Sequence, residues 1–402
     1  MGIRRRNSVQ PVSTGGKLGA VPAAAPTSAP ARLLSLDAFR GLTMAGMTIV
    51  NNPGDWATVY APLLHAEWNG CTPTDLVFPF FLFIVGVAIT MSRKTGHWGP
   101  IVWRGTKLIL IGWFLAGFPF FNLWKLRIPG VLQRIGLCYM FAALLYRGLR
   151  QSIGTSGEES ERRIARAIGL VAAVLLLGYW AIIQLVPGAS GVRGDMTPEG
   201  NVGAMIDRVL FSGHMWKQSW DPEGLLSTVP AIGTTLVGLI AGLWLRYASD
   251  HGRNVVRGLL VIGGVSAALG LAWSVVFPLN KSLWTSSYAL YTAGLGALLF
   301  AVCYWIMDVA GWQRWAHPLV VLGSNAIALY VLSGLVARLT LIIKVAGPAG
   351  ERIALKTWMY QRWFAPMAAS PYNASLLYAL ANVAVLYVVL LAMYRRGVFL
   401  KV

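Results

Sequence analysis

Charged residues are scarce. Asp, Glu, Lys and Arg make up 12% of the 402 residues, about half the fraction of an ordinary soluble domain. With 56% hydrophobic residues and a mean hydropathy of +0.59, this excludes both a disordered chain and an ordinary soluble enzyme. Acidic residues are the scarcer sign, 15 against 34 Lys and Arg. In a soluble protein that imbalance would suggest nucleic acid. Beside long apolar runs it reads as a topology signal, and no nucleic-acid partner is expected. Cysteine is equally sparse. Cys71, Cys138 and Cys303 are odd in number, widely spaced and free of any CxxC pair, which argues against a disulfide framework or a zinc site. The five histidines show no HxxxH spacing, so no metal is expected. P-loop, GxSxG and HExxH motifs are missing, which removes the common signatures of nucleotide, serine and zinc hydrolases.

What the chain does have is apolar length. A membrane span needs about 20 apolar residues. Runs of that kind lie near 34–51, 75–92, 104–121, 129–147, 167–187, 225–246, 256–277, 286–307, 318–338 and 374–394. They predict an all-α polytopic membrane protein, a bundle of about ten transmembrane helices in a lipid bilayer. The first run is weak. Its uninterrupted apolar part is Gly41–Val50, which leaves Asp37 and Arg40 inside the helix end. With the N-terminus in the cytoplasm and alternating sides, 21 Lys and Arg fall on the cytoplasmic face and 11 on the other. The positive-inside rule then places both termini in the cytoplasm. Residues 1–31 form a basic tail rich in Gly, Pro, Ala and Ser, expected to be disordered. It has no apolar signal core, so no cleavage is expected. Residues 32–402 form the membrane domain. Its longer outer segments are 52–74, 188–224 and 339–373, rich in Trp, Gly, Pro and Asn, while 151–163 reads as a solvated cytoplasmic loop. No close internal repeat is visible, which disfavours inverted-repeat transporter folds.

Several polar residues stand out against this background. His65 lies in a Trp- and Asn-rich outer segment; an imidazole is the natural proton acceptor at neutral pH, although a histidine can also simply cap a loop. Asn51 ends the first predicted helix and Asp75 opens the second. Asp75 could cap that helix, or it could orient His65 by bonding one ring nitrogen. Asp37 and Arg40, at i and i+3, read as an ion pair locking the helix or as a contact to an anionic cofactor. In Arg127-Ile-Pro-Gly-Val-Leu-Gln-Arg134, the intramembrane Arg134 beside Gln133 could neutralise phosphate, or pair with Asp37 or a carbonyl. Asp221-Pro-Glu-Gly224 reads as a helix start. Asn280, Lys281 and Trp284 share a short outer turn that could grip a sugar or an anion, and Asn325 reads as an interhelical hydrogen bond.

The runs SLDAFRGLTMAGMTIVNNPG and LLHAEWNGCTPTDLVFPFFLFIVG, followed in order by RIPGVLQRIG, WDPEGLLSTVPAI and LNKSLWTSSY, resemble the heparan-alpha-glucosaminide N-acetyltransferase family. The resemblance covers about 34–340 and is weaker in 339–373. It implies a transmembrane acyltransferase that moves acetyl from cytosolic acetyl-CoA to a glucosamine-type amine on the far side. The histidine of the HAxWNG motif falls on His65 and is the family's catalytic residue; the asparagine of the VN motif falls on Asn51. Asp75 is counted with them as a catalytic residue, to orient His65 or to hold a substrate group. Arg40, Gln133 and Arg134 fall on motif positions and are assigned to coenzyme A; Trp68, Asn280, Lys281 and Trp284 are assigned to the acceptor. The lysosomal members carry an additional luminal N-terminal region, and this chain looks like a bacterial member, expected in the inner membrane with the catalytic loop in the periplasm. Its acceptor is then an amino sugar or an envelope glycan, and a homodimer is an expectation of the same resemblance. Two chemistries fit, direct attack by the acceptor amine or an acetyl-imidazole intermediate. Direct attack needs only one His and a nearby Asn. A transporter or flippase of an envelope glycan precursor is the alternative, with a scaffold third.

Overall fold

A computed structural model describes residues 33–92, 96–154, 157–248, 252–347 and 350–400. The basic tail lies outside them. Among the described residues there are thirteen α-helices. They are α1 (Leu34–Asn51), α2 (Val77–Met91), α3 (Trp98–Gly117), α4 (Val131–Ile153), α5 (Glu158–Leu185), α6 (Val202–Phe211), α7 (Thr228–Tyr247), α8 (Arg253–Trp273), α9 (Ser286–Tyr304), α10 (His317–Ser324), α11 (Ala326–Ile342), α12 (Leu355–Met359) and α13 (Pro371–Arg395). A short antiparallel pair of β1 (Lys344–Ala346) and β2 (Arg352–Ala354) and an isolated antiparallel bridge between Pro187 and Arg193 depart from the predicted all-helical chain.

Every predicted apolar run falls on a helix. Six helical segments, built on α2, α5, α7, α8, α9 and α13, are long and apolar enough to cross a membrane, and α10 with α11 makes a seventh if taken as one span. Helices α1, α3 and α4 are less apolar because they carry Asp37 and Arg40, Arg104 and Lys107, and Arg134, Arg147 and Arg150.

Two predicted features are corrected. The ninth run is not one helix: α10 and α11 meet at a 70° bend. At the break, the Asn325 amide donates to the Val398 carbonyl at 3.0 Å and its oxygen accepts from the Leu400 N–H at 3.0 Å. Asn325 thus ties the break to the segment after α13. Residues 151–163 are largely helical, because α4 runs on to Ile153 and α5 starts at Glu158. Acidic residues in the first turn of α5 suit the helix dipole, and the exposed pairs Glu158–Arg162 and Glu159–Arg163 add i,i+4 support.

The helices approach one another through glycines. A Cβ added at Gly86 of α2 would lie 2.0 Å from the Thr235 carbonyl oxygen of α7, and one added at Gly238 would lie 2.1 Å from that of Phe83. Small residues allow this backbone contact where apolar lipid supplies no hydrophobic drive between helices. Gly238→Val is expected to cost about 1–3 kcal/mol or more through overpacking. Gly264→Val on α8, where an added Cβ meets nothing within 4 Å, is expected to be silent. Thermal unfolding in detergent compares the two; equal melting would refute the crossing as a packing determinant.

Candidate active site

The segment between α1 and α2 builds the site. Thr72-Pro73-Thr74-Asp75 opens a single 3-10 turn, Pro73–Leu76, that leads into α2. Proline at the first helical position lacks an N–H that would have no helical partner there. The Asp75 carboxylate divides its two oxygens. Oδ2 accepts from the Thr72 N–H at 3.0 Å, the Thr72 hydroxyl at 3.0 Å and the Ala66 N–H at 3.1 Å. Oδ1 lies 2.7 Å from His65 Nδ1. The capping and orienting roles that the sequence left as alternatives are therefore filled by one side chain. Its backbone is also fixed: the Asp75 carbonyl accepts from the Tyr288 hydroxyl of α9 at 2.6 Å. The Asp75 side chain is 1% exposed and that of His65 50%, so a rigid buried anion holds a ring open to the cavity.

Lys281 completes a cluster. Its Nζ lies 3.0 Å from Nδ1 and 3.2 Å from Nε2 of His65, and 3.5 Å from Asp75 Oδ1. Burial pulls its pKa below the ordinary lysine value, against the opposing pull of the Asp75 charge. Burial also pushes the neighbouring Cys71 thiol up to about 12, so Cys71 carries no thiolate at neutral pH.

The turn bearing Lys281 is pinned to the histidine loop. The Gly70 N–H donates to the Leu279 carbonyl at 2.7 Å, and the Asn280 amide donates to Asn69 Oδ1 at 3.1 Å. Gly70 has φ 119°, a conformation side chains disfavour. Asn280 is fully buried and also accepts from the Leu283 N–H at 2.8 Å. Its place is that of a staple between two loops. Trp284 is 1% exposed. Its indole N–H donates to Thr234 Oγ1 at 3.2 Å, and its ring packs edge-on against Phe78 and Tyr288. The structure thus places Trp284 in the core and not on the wall where an acceptor would bind.

Beside the cluster lies a cavity of about 450 Å³. His65, Asp75, Lys281, Trp68 and Asn51 all line it. Asn51 ends α1, and its amide has no hydrogen-bond partner among the described residues; its neighbour Asn52 is buried and donates to Ser333 Oγ at 3.2 Å. The wall follows α1 from Asn51 to Thr43, about 12 Å at 1.5 Å per residue. Met44, Met47, Phe81, Leu132, Ile135 and Tyr330 make that deeper part mostly apolar.

Trp68, assigned to the acceptor from the sequence, is joined on the lining by residues to which the sequence reading gave other roles or none. Trp68 donates its indole N–H to the Met196 carbonyl at 2.9 Å and meets Trp220 edge-on, ring centroids 5.2 Å apart. Arg127 pairs with Asp221 through Nε at 2.8 Å and Nη2 at 2.5 Å, and also with Glu223. Trp216 lies 5.2 Å from the guanidinium. Asp221 and Glu223, read from the sequence as a helix start, clamp an arginine; no local signal joins positions about ninety residues apart.

The three residues assigned to coenzyme A do not line this cavity. Arg40 pairs with Asp37 at 2.9 Å, one turn beyond Thr43 on α1. Gln133 is buried between α3 and α4, where a Cβ on Gly112 would come within 2.4 Å of its Oε1. Arg134 is also buried; it donates to the Gly224 carbonyl at 3.2 Å and to Ser227 Oγ at 2.5 Å, and its guanidinium lies 5.1 Å from the Trp284 ring. It bonds a carbonyl, as one sequence alternative had it, together with a serine hydroxyl, while Asp37 pairs with Arg40. Among the described residues no group of three or more His, Cys, Asp or Glu could hold a metal ion.

Sequence comparison now bears on the site. The family profile described as heparan-alpha-glucosaminide N-acetyltransferase, catalytic, matches residues 32–155, which contain α1, the His65 loop and Asp75. The heparan-alpha-glucosaminide N-acetyltransferases of Homo sapiens and Mus musculus are each 31% identical to the chain over 355 and 357 residues, 75% of its length. The chain belongs to the heparan-alpha-glucosaminide N-acetyltransferase family. It spans about half the length of these curated relatives, 52% of the human protein and 53% of the mouse one. Within the family match lie the three residues that the site brings together from its first segment, Asn51, His65 and Asp75.

Proposed function

We propose that the chain is a transmembrane N-acetyltransferase that moves the acetyl group of acetyl-CoA to the amine of an amino sugar, with His65 as general base. The observation that carries this reading is the buried Asp75 carboxylate 2.7 Å from His65 Nδ1, at the polar end of a cavity whose deeper wall is apolar. An ionised Asp75 keeps the ring proton on Nδ1 and leaves Nε2 basic. The acceptor nitrogen attacks the thioester carbonyl carbon as its proton passes to Nε2. The carbon–sulfur bond breaks, the sulfur leaves as thiolate, and His65 returns the proton to give the free thiol. Asn51, on the same wall, supplies an amide N–H to the oxyanion. The apolar shaft suits the uncharged arm of the donor, and Trp68 and Trp220 suit the faces of a sugar ring.

In this reading coenzyme A enters from the cytoplasm, and the acceptor meets His65 on the periplasmic side of a bacterial inner membrane. On α1, Arg40 lies one turn beyond Thr43, where the cavity wall ends; on α4, Gln133 and Arg134 fall between the lining residues Leu132 and Ile135, packed against Gly112 and against Gly224 with Ser227. A passage continued by about one turn along α1 reaches Arg40, and the donor phosphates follow that path. The homodimer belongs to the same proposal.

The test is acetyl transfer from labelled acetyl-CoA to glucosamine by purified protein, with donor binding measured on the same sample. Labelled N-acetylglucosamine is the expected product. Binding without product would mean a different acceptor. No binding and no product would turn the reading to the transporter of an unmodified glycan precursor.

A further inference from the structure

A base that takes a proton from an attacking amine must lie within about 2.6–3.2 Å of its nitrogen. One amine of the protein already lies at that distance: Lys281 Nζ is 3.2 Å from His65 Nε2 and 3.0 Å from Nδ1, so a small shift of its flexible side chain brings it onto Nε2. Its side chain lines the same cavity and is 23% exposed, so it is covered yet reachable from the donor's space. The turn that carries it is stapled to the histidine loop through Gly70 and Asn280, which makes the approach a fixed feature of the backbone. Burial also favours the neutral amine, the only form of lysine that is a nucleophile.

We propose that Lys281 occupies the position of the acceptor nitrogen and is a self-acetylation site, modified once by acetyl-CoA when no acceptor is bound. The inference rests on the acetyltransferase reading of the same cavity. The step balances as the main reaction does. Nζ forms the amide bond, the thioester carbon–sulfur bond breaks, and the proton from Nζ passes through His65 to the leaving sulfur. The product is Nζ-acetyl-lysine and free coenzyme A thiol. The acetylated side chain can no longer take up a proton and pair with Asp75, and it fills the acceptor's place, so the modified enzyme is blocked. The acceptor displaces Lys281 from His65 and protects it.

The experiment incubates purified full-length protein with acetyl-CoA alone, or with saturating glucosamine, and maps acetylated peptides by mass spectrometry. Exposed Lys125, Lys217 and Lys344 report spontaneous labelling, and detergent melting of each protein reports folding. The expected result is about one acetyl per chain at Lys281 without acceptor. In His65→Ala the labelling rate falls roughly a hundredfold or more, with the exposed lysines unchanged. Wild-type protein that acetylates glucosamine yet leaves Lys281 unmodified would overturn the proposal and leave the acetyltransferase reading standing. Equal labelling of Lys281 in wild type and His65→Ala would also overturn it, as spontaneous chemistry. If glucosamine is acetylated but does not protect Lys281, the shared position is wrong. Neither transfer nor labelling removes both readings together. Labelling that depends on His65, without transfer to glucosamine, supports the proposal and points to a different acceptor.

Discussion

His65→Ala is expected to lower the proposed acetyl transfer by about 10²–10⁴-fold, the usual contribution of a positioned general base, while acetyl-CoA binding and melting temperature stay near wild type. The reason lies in how the ring is held. His65 is half exposed and contributes no buried packing, so its removal leaves no core cavity. Asp75→Asn reaches a similar loss of rate by another route. The isosteric amide no longer fixes the ring proton on Nδ1, so the basic nitrogen is no longer reliably Nε2. This variant also loses stability, because Oδ2 caps the turn that opens α2 through Thr72 and Ala66. Caps of this kind contribute about 1 kcal/mol, and Lys281 would be left beside a neutral amide. Transfer rate, donor binding and thermal unfolding on both variants separate the two roles. A His65→Ala enzyme within tenfold of wild type would remove His65 from the chemistry. An Asp75→Asn enzyme with full rate would reduce Asp75 to a cap.

The helices were legible because apolar length is a local property of the chain. Each run found by composition holds helix, and the crossing of α2 with α7 rests on single glycines, Gly86 and Gly238, whose partners are not legible in either run. The bend between α10 and α11 was not legible, since it depends on Asn325 finding backbone partners near Val398 and Leu400. In the site, His65, Asn51 and Asp75 could be singled out because they lie within one short stretch around the first two predicted helices, where an imidazole, an amide and a carboxylate stand out against apolar sequence. Lys281 was picked out for another task, from a turn of Asn, Lys and Trp. The fold divides that turn: Lys281 lines the cavity, Asn280 staples two loops, and Trp284 enters the core with φ 50°. Side-chain direction across a tight turn is a tertiary outcome that residue type does not give. The same holds for Arg134, whose partners Gly224 and Ser227 come from about ninety residues away.

Arg127→Met is expected to destabilise the protein by about 3–5 kcal/mol, the range for removing one partner of a buried charge pair. The side chain of Asp221 is 0% exposed and that of Glu223 10%, so two carboxylates would face each other without their cation. Asp221 also accepts from the Trp216 and Glu223 N–H groups at 2.8 and 2.9 Å, which holds it in place. The variant's loss therefore includes the repulsion of stranded anions as well as a missing contact. Arg127→Met combined with Asp221→Asn and Glu223→Gln should recover much of the loss, because the anions go with the cation; the coupling read from the cycle isolates the pair. Thermal unfolding in detergent measures it, and additive losses would show that Arg127 acts through packing on Trp216 alone. The consequence for the site is local. Arg127, Trp216 and Glu223 line the same cavity as His65, so a loosened clamp should raise the KM for the acceptor more than it lowers kcat. His65→Ala should do the reverse, because one residue shapes the rim and the other handles the proton.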